Sequence, residues 1–233
     1  MKPYQKSIRG GIEDFLCPFT DMCITQGSNM KPSHMGIMAN DVRGKESGKR
    51  YPIYAPCTCT CVKIYPESGQ AMWQSIRRVR FANGRIDYAT FMIAHDNSMD
   101  CYVGQKIEQG SQLANMGDKG NATGVHTHIQ ISQSSDTSWF KNDYGVYKFN
   151  HEYDLDDCYF IDNTNIINGY GGNWKVTSDI KVEEEVDQIL HIGSMVKLGG
   201  SYKVKEIDVK NNKALINVAG EDIWVSSVPL IEV

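Results

Sequence analysis

The feature that most constrains this chain is a stretch near its middle, Gly120–Ser132, in which a glycine-rich turn leads into an alternating pattern. Within the pattern, His126, His128 and Gln130 alternate with apolar or small residues. Successive side chains of a β-strand point to opposite faces of the sheet, so both imidazoles are predicted on one face. Such a pair can place a metal ligand beside a proton-transfer group, and two solvent-facing histidines on a half-buried strand explain the pattern equally well.

The composition is that of an ordinary globular protein. Hydrophobic residues make up 41% and charged residues 22% of the 233 positions, and no run is long or apolar enough to span a membrane. A net charge of −4 argues against a nucleic-acid partner. No apolar segment follows the N-terminal residues, so we expect no secretory signal and synthesis in the cytoplasm.

Seven cysteines bear on the redox state and on metal binding. Their odd number, without a secretory signal, argues against a full disulfide framework. Cys57, Cys59 and Cys61 share one face of a predicted strand. A thiolate metal site is conceivable there, but the spacing lacks the Cys-x-x-Cys turn of structural zinc sites. We therefore favour a role as small buried apolar residues.

Short extended segments dominate the first 150 residues, and none of them shows a long helical period. Asn83-Gly84 lies between two such segments, residues 75–81 and 85–94, and predicts a hairpin with a two-residue turn. These patterns predict an all-β fold built on antiparallel sheets. Residues 137–167, rich in Tyr, Asn and Asp, are predicted to form a long irregular wrap over this domain.

A change in composition after residue 168 indicates a second domain. The segment contains Gly-Tyr-Gly-Gly and then a Glu-rich run, which is typical of a linker, and strand patterns resume after it. We predict a first domain at residues 1–168, a linker at 169–188 and a small β-barrel at 189–233.

Four histidines and one aspartate suggest a metal centre. His34, His95, His126 and His128 lie at the ends of predicted β elements, and Asp41 follows the first of them by seven positions. A catalytic zinc site needs three protein ligands and one open position for water. His34, Asp41 and His128 can supply those ligands for one zinc ion per chain. His126 and His95 would remain to hold the water and to stabilise a developing oxyanion.

Several short motifs resemble those of the lysostaphin-like zinc metallopeptidases, which cut peptide bonds of bacterial peptidoglycan. In the order of that family they are Thr25–Gly27, Ser33–Gly36, Tyr54–Pro56, Ile93–His95, Val103–Ile107 and Thr123–Ile129. Together they are far more specific than any one motif. The resemblance implies that His34, Asp41 and His128 bind zinc. It also implies that His126 and His95 assist catalysis.

One position departs from the commonest pattern of that family. An aspartate usually follows the first histidine by four residues, and here that position is Met38. The next acid is Asp41, and phage-type relatives with a longer interval look similar to this chain. We therefore assign Asp41 as the ligand.

The resemblance implies a zinc-dependent endopeptidase that acts on bacterial peptidoglycan. The absence of a secretory signal, together with a wall-binding-like tail, leads us to expect a phage endolysin that acts on the bacterial cell wall. We also expect a monomer without membrane insertion. By strand pattern, length and position, the tail resembles SH3-like wall-binding modules. Tyr202 and Trp224 are candidate contact residues there, or ordinary core aromatics of a small barrel. Two alternatives are a metal-free relative that binds peptidoglycan without cutting it and a virion structural protein of the same fold. Met38 favours the first alternative, and the four histidines argue against it.

Overall fold

The structure is a computed structural model that describes residues 6–160, 165–168, 195–197, 201–208, 213–218 and 221–226 of the chain. Its regular elements are β-strands and two single 3₁₀ turns, and the described residues contain no α-helix. The predicted all-β fold with antiparallel sheets is therefore confirmed. No helix in the described part of the chain is long and apolar enough to cross a membrane.

The chain divides into two compact units. The first comprises Met1–Ser7 and Glu13–Val182, and the second comprises Ile8–Ile12 and Glu183–Val233. The predicted linker at residues 169–188 lies outside the described residues, and the proposed domain boundaries stay predictions.

The strands are short and follow each other closely along the chain. In chain order they are β1 (Ile8–Arg9), β2 (Ile12–Glu13), β3 (Asp21–Gln26), β4 (Ala39–Arg43), β5 (Pro52–Tyr54), β6 (Cys59–Tyr65), β7 (Gln70–Ser75), β8 (Val79–Arg80), β9 (Ile86–Asp87), β10 (Thr90–Ile93), β11 (Lys106–Ile107), β12 (Gln112–Asn115), β13 (Thr127–Ser132), β14 (Trp139–Lys141), β15 (Tyr147–Phe149), β16 (Glu152–Tyr153), β17 (Asn165–Asn168), β18 (Met195–Lys197), β19 (Ser201–Asp208), β20 (Lys213–Val218) and β21 (Glu221–Ser226).

A nine-stranded sheet organises the described part of the first unit. Its order is β11-β6-β7-β10-β13-β4-β3-β17, and β16 pairs with the free end of β13. Neighbours are antiparallel except for β17, which runs parallel to β3. β13, the strand of the alternating pattern, is therefore central, with β10 on one side and β4 on the other.

The two faces of this sheet differ. On one face lies the main core, in which Trp73, Phe91 and Ile131 are paired across three neighbouring strands and fully buried. The alternation of β13 puts Gln130 on the other face, opposite Met92. That second face carries a smaller apolar cluster of Met72, Met92 and Phe149, with Val62 and Trp139 packed against it.

Cys57, Cys59 and Cys61 belong to the main core and are buried. Burial raises the pKa of the Cys57 and Cys59 thiols above their ordinary value, so both stay protonated. These properties fit the predicted apolar role better than a thiolate metal site.

The hairpin at Asn83-Gly84 differs from the prediction. Phe81 and Arg85 are joined by a backbone hydrogen bond of 2.9 Å, so the loop has three residues, Ala82–Gly84, and not two. Gly84 adopts φ +87°, the left-handed conformation that a three-residue hairpin loop requires. The predicted strands are also interrupted, because β8 pairs with β9 and β7 pairs separately with β10.

The segment after β13 is more regular than the predicted irregular wrap. β14 and β15 form a hairpin, β16 joins the large sheet, and a 3₁₀ turn covers Leu155–Asp157. Trp139 and Phe149 pack edge to face, with ring centroids 4.7 Å apart, and join the cluster of Met72 and Met92. Apolar packing thus holds this hairpin on the second face of the sheet.

In the second unit, β18 to β21 form a four-stranded antiparallel meander. All four strands lie within residues 189–233, where the sequence predicts a small β-barrel. Ile216 is fully buried and Trp224 is 44% exposed. The side chain of Tyr202 lies outside what the structure describes. The SH3-like assignment therefore stays a prediction.

Candidate metal centre

Three elements of the first unit bring the predicted metal ligands together. His34 lies in the loop between β3 and β4, Asp41 lies on β4, and His128 lies on β13. β4 and β13 are antiparallel neighbours, and Asp41 is paired directly with His128. Side chains that are directly opposite on one face have Cβ atoms about 4.5–5.5 Å apart, so the strand pairing alone places these two groups within reach.

The ring of His34 is oriented by its own loop. Its side chain is fully buried, and Nδ1 donates a hydrogen bond of 2.9 Å to the carbonyl of Gly27. A carbonyl oxygen can only accept, so the proton of the neutral ring lies on Nδ1. Nε2 is thereby left to face Nδ1 of His128 at 3.1 Å and Oδ1 of Asp41 at 3.3 Å.

One oxygen of Asp41 is the focus of the site. Oδ1 lies 3.0 Å from Nδ1 of His128 and 3.7 Å from Nε2 of His126, in addition to its contact with His34. Burial raises the pKa of this carboxyl, but hydrogen bonds to His128 and His34 outweigh burial and hold the pKa well below its ordinary value. Asp41 is therefore a carboxylate at neutral pH.

The donor atoms fit a zinc ion. One atom each of His34, Asp41 and His128 lies within 4.8 Å of the others, and this is the group with ligand-like geometry among the described residues. Two imidazole nitrogens and one carboxylate oxygen are a donor set that catalytic zinc sites use. Burial lowers the pKa of His128, although Asp41 opposes that effect, so the ring favours the neutral form that binds metal.

His126 and His95 lie beside this group as a pair. Their ring centroids are 4.6 Å apart, and the centroid of His95 is 6.5 Å from that of His128. Nδ1 of His126 contacts the carbonyl of Gly124 at 2.7 Å, and Nδ1 of His95 contacts the carbonyl of Lys119 at 2.8 Å. In both rings the proton of the neutral form is thereby held on Nδ1, and Nε2 carries the lone pair.

His95 has two further properties that bear on its chemistry. Burial lowers its pKa, with the Lys119 carbonyl acting in the opposite direction, so the ring is neutral at pH 7. Its backbone has φ +75°, an uncommon conformation for a residue with a side chain. A backbone conformation of this kind is maintained only where the surrounding structure fixes it, so the position of His95 is set by its neighbours.

Gly117 is one residue that the sequence patterns do not single out. Its N–H and carbonyl each form a 2.9 Å hydrogen bond with the backbone of His126. A Cβ at this position would collide with the carbonyl oxygen of His95 and with Oδ1 of Asn97. The absent side chain thus lets the segments of His95 and His126 approach each other. A glycine shortly before the His-x-His strand is the only signal in the sequence for this role.

Asp154 is a second residue that sequence reasoning missed. Its carboxylate accepts hydrogen bonds from Ser28 Oγ at 2.6 Å and from Nδ2 of Asn40. Asn40 precedes the proposed ligand Asp41, and Ser28 belongs to the loop that carries His34. The acid lies 113 positions after Asp41 in a loop, so no local pattern connects it with the site.

Some known proteins are similar to this chain, although no family model matches it. Over 170 residues it is 35% identical to a protein named Morphogenesis protein 1 of Bacillus phage B103. That match covers 72% of this chain and 46% of the relative, so the chain spans less than half the length of the curated relative it matches.

Solved structures that are similar to the chain include two bacterial proteins at low identity. The catalytic domain of the prophage-encoded protein EnpA from Enterococcus faecalis is 15% identical with a TM-score of 0.38, over 61% of this chain and 95% of that chain. The catalytic domain of the antimicrobial peptidase lysostaphin from Staphylococcus simulans is 20% identical with a TM-score of 0.35, over 50% of this chain and 84% of that chain.

Proposed function

We propose that this chain is a zinc-dependent endopeptidase that hydrolyses peptide bonds of bacterial peptidoglycan, encoded by a phage and acting on the host cell wall. The observation that carries the proposal is the convergence of His34, Asp41 and His128, with the His95–His126 pair beside them. The motif resemblance between Thr25 and Ile129 supports the substrate class.

The proposed chemistry divides the five residues into two roles. His34, Asp41 and His128 would hold the ion, which when bound supplies a Lewis acid and lowers the pKa of a bound water to about 7. His126 takes a proton at Nε2, because Nδ1 is already bonded to the carbonyl of Gly124. Once protonated, the same Nε2 donates a hydrogen bond to the developing oxyanion.

His95 shares this proton-handling role. Its depressed pKa keeps Nε2 available as an acceptor at neutral pH. The ring centroid lies 4.6 Å from that of His126, so both rings border the same position beside the proposed ligands.

Metal content and cleavage together test the proposal. The purified full-length chain should contain about one zinc per chain. It should release new amino termini from isolated peptidoglycan or soluble muropeptides, detected by mass spectrometry. Chelation should abolish the release and added zinc should restore it. A chain that binds zinc but never opens a peptide bond in walls from several hosts would point instead to a wall-binding protein.

A second candidate function is a part in phage particle assembly, and the name of the 35% identical relative favours it. Under this proposal the chain is a component of the particle. Antibody detection in purified particles would distinguish the two candidates, because an endolysin remains in the soluble lysate. If intact particles cleave peptidoglycan peptides, the chain has both functions.

For the tail we propose wall binding by residues 189–233. Trp224 on β21 is 44% exposed, which suits a contact aromatic better than a core residue. Trp224→Ala in the full chain should reduce retention on insoluble walls while leaving cleavage of soluble muropeptides unchanged. Tyr102→Ala, which removes an exposed aromatic from the first unit, is the matched control. Equal retention of both variants on insoluble walls would leave the tail without this role.

We also propose that the chain acts as a monomer.

A further inference from the structure

Gln130 is a buried polar residue that the proposed chemistry does not use. It lies on β13 two positions after His128, on the same face of the strand, and is only 2% exposed. Its Oε1 is buried and has no hydrogen-bond partner in the described part of the chain. A buried amide oxygen without a hydrogen-bond partner destabilises the folded state, so its presence beside the site needs a reason.

The amide of Gln130 contacts the proposed ligand His128 on the side away from the metal position. Nδ1 of His128 faces Asp41 and His34, at 3.0 Å and 3.1 Å. Nε2 of the same ring lies 3.0 Å from Nε2 of Gln130. In this arrangement the amide donates to an unprotonated ring nitrogen, and the proton of the neutral ring lies on Nδ1, where it donates to Asp41.

The same amide group reaches the hairpin of β14 and β15. Nε2 of Gln130 donates a second hydrogen bond, of 3.1 Å, to the carbonyl of Tyr147 on β15. That hairpin carries the exposed rings of Phe140, Tyr144 and Tyr147. Asn142 at its turn donates to the carbonyls of Met35 and Gly36, which follow His34 in the loop. The hairpin therefore borders the metal centre and is tied to it at two places.

Metal binding changes what His128 needs from the Gln130 amide, from a hydrogen-bond donor to a hydrogen-bond acceptor. An imidazole that binds a metal ion through Nδ1 carries its proton on Nε2 and needs an acceptor there. Oε1 of Gln130 supplies that acceptor after a half-turn of the amide group. The half-turn moves the amide donor away from the carbonyl of Tyr147. One side chain thus cannot satisfy the metal-bound ring and the hairpin carbonyl with the same orientation.

We propose that Gln130 is a positioning residue that orients His128 for the metal ion and couples metal loading to the hairpin of residues 139–149. The proposal rests on the metal site of the proposed function. Without metal, the amide holds the hairpin through Tyr147. With metal, the amide turns to accept from His128, and the hairpin beside the active site is released for substrate.

Two substitutions separate the two contacts. Gln130→Leu removes both of them, so zinc affinity should fall about 10- to 100-fold, as for other partners that orient ligating histidines. Gln130→Glu keeps an acceptor for His128 and loses the donor for Tyr147. It should retain zinc affinity within about threefold while the hairpin loosens, since the acceptor contact is the part that holds the metal-bound ring. Gln133→Leu is the matched control, because Gln133 is fully buried just after the same strand and contacts Asn83.

The measurements are zinc affinity by competition with a chromogenic chelator and amide hydrogen exchange of residues 139–149, both on the full-length chain. In the wild type, zinc should speed exchange in the hairpin. In both Gln130 variants, exchange should be fast with or without zinc. The Gln133→Leu control should keep the wild-type affinity and the wild-type response even if its thermal stability falls.

The outcomes distinguish this inference from the proposed function. A wild type that binds no zinc contradicts the metal site itself. A wild type that binds zinc, with equal affinity in Gln130→Leu, overturns the positioning role. If zinc does not change the amide hydrogen-exchange rates of residues 139–149 in the wild type, the coupling is overturned. If Gln130→Leu does not fold, the nearly isosteric Gln130→Glu still decides the coupling, because its hairpin must exchange fast before zinc is added.

Discussion

His128 and Asp41 face each other across two antiparallel strands, with Nδ1 of the histidine 3.0 Å from Oδ1 of the aspartate. The register of β4 against β13 creates this contact, and it favours Asp41 over the earlier position 38 as the acidic ligand. Met38 precedes β4, is 38% exposed and donates its backbone N–H to Glu152. A longer interval between the first histidine and the acid is thus compatible with an intact site.

The first prediction concerns the ligands. Asp41→Ala should weaken zinc binding by at least about 100-fold, because partners that only orient a ligand already contribute about 10- to 100-fold. Met38→Ala should leave affinity unchanged, since its side chain is not part of the convergent group. Chelator competition followed by elemental analysis checks both. Loss of zinc from the Met38 variant alone would show that the assignment is wrong.

The second prediction separates catalysis from metal binding. His126→Ala should keep zinc and lower turnover of muropeptides about 10²- to 10⁴-fold, because a proton-transfer group and not a ligand is removed. His95→Ala should behave in the same way. Turnover per bound zinc is the measurement. Full activity in both variants would leave the two rings without the proposed roles.

The third prediction concerns Gly117. In Gly117→Ala the added methyl group meets the carbonyl of His95, so His95 and His126 should shift relative to the proposed ligands. A displacement of about 1 Å can lower turnover about 100-fold, and zinc affinity should remain. Gly44→Ala is the control, since its methyl group meets the ring of Tyr51 instead. Equal turnover per zinc in the two variants would contradict this role.

The fourth prediction is a pH dependence of stability at Asp157. Burial, assisted by Asp156, raises the pKa of Asp157 to about 6 from the ordinary 3.8. The folded carboxyl therefore keeps its proton to higher pH than the unfolded one. Its stabilising contribution is fully present below pH 3.8 and is lost as pH rises through 6.

Asp157→Asn should therefore lose less stability than the wild type between pH 4 and pH 6 and unfold at a higher temperature at pH 7. Thermal unfolding at a series of pH values checks this. Asp143→Asn, which changes an exposed acid in the hairpin turn, is the control. If the unfolding temperatures of Asp157→Asn and wild type change with pH by the same amount, the prediction is contradicted.

The fifth prediction concerns thiol reactivity. A hydrogen bond from Cys61 lowers the pKa of Cys101, the half-buried member of the seven cysteines, whereas the other six are buried. Iodoacetamide should therefore modify Cys101 first in the folded chain, because the thiolate is the reactive form. Peptide mass spectrometry over time identifies the site. Equally fast labelling of Cys59 or Cys158 would show that burial does not control reactivity here.

The tertiary structure corrected two local expectations, the length of the Asn83-Gly84 turn and the irregular wrap after β13, and supplied details that local patterns do not hold. Asn83-Gly84 correctly predicted a hairpin, but hydrogen bonding between Phe81 and Arg85 made the loop three residues long. Loop length depends on how the flanking strands pair, and β8 and β9 are separated from β7 and β10 by breaks in the ladder. Turn residues alone do not contain that information.

The sequence by itself determined the all-β class and the sidedness of β13, because strand periodicity is a local property of the chain. It also nominated the five candidate site residues through motifs and their order. Only the tertiary structure decided that Asp41 meets His128, that the carbonyl of Gly27 orients His34, and that Gly117 lets His95 approach His126. Those contacts depend on register and on loop closure between residues far apart in the chain, and alternation along one strand does not specify its partner.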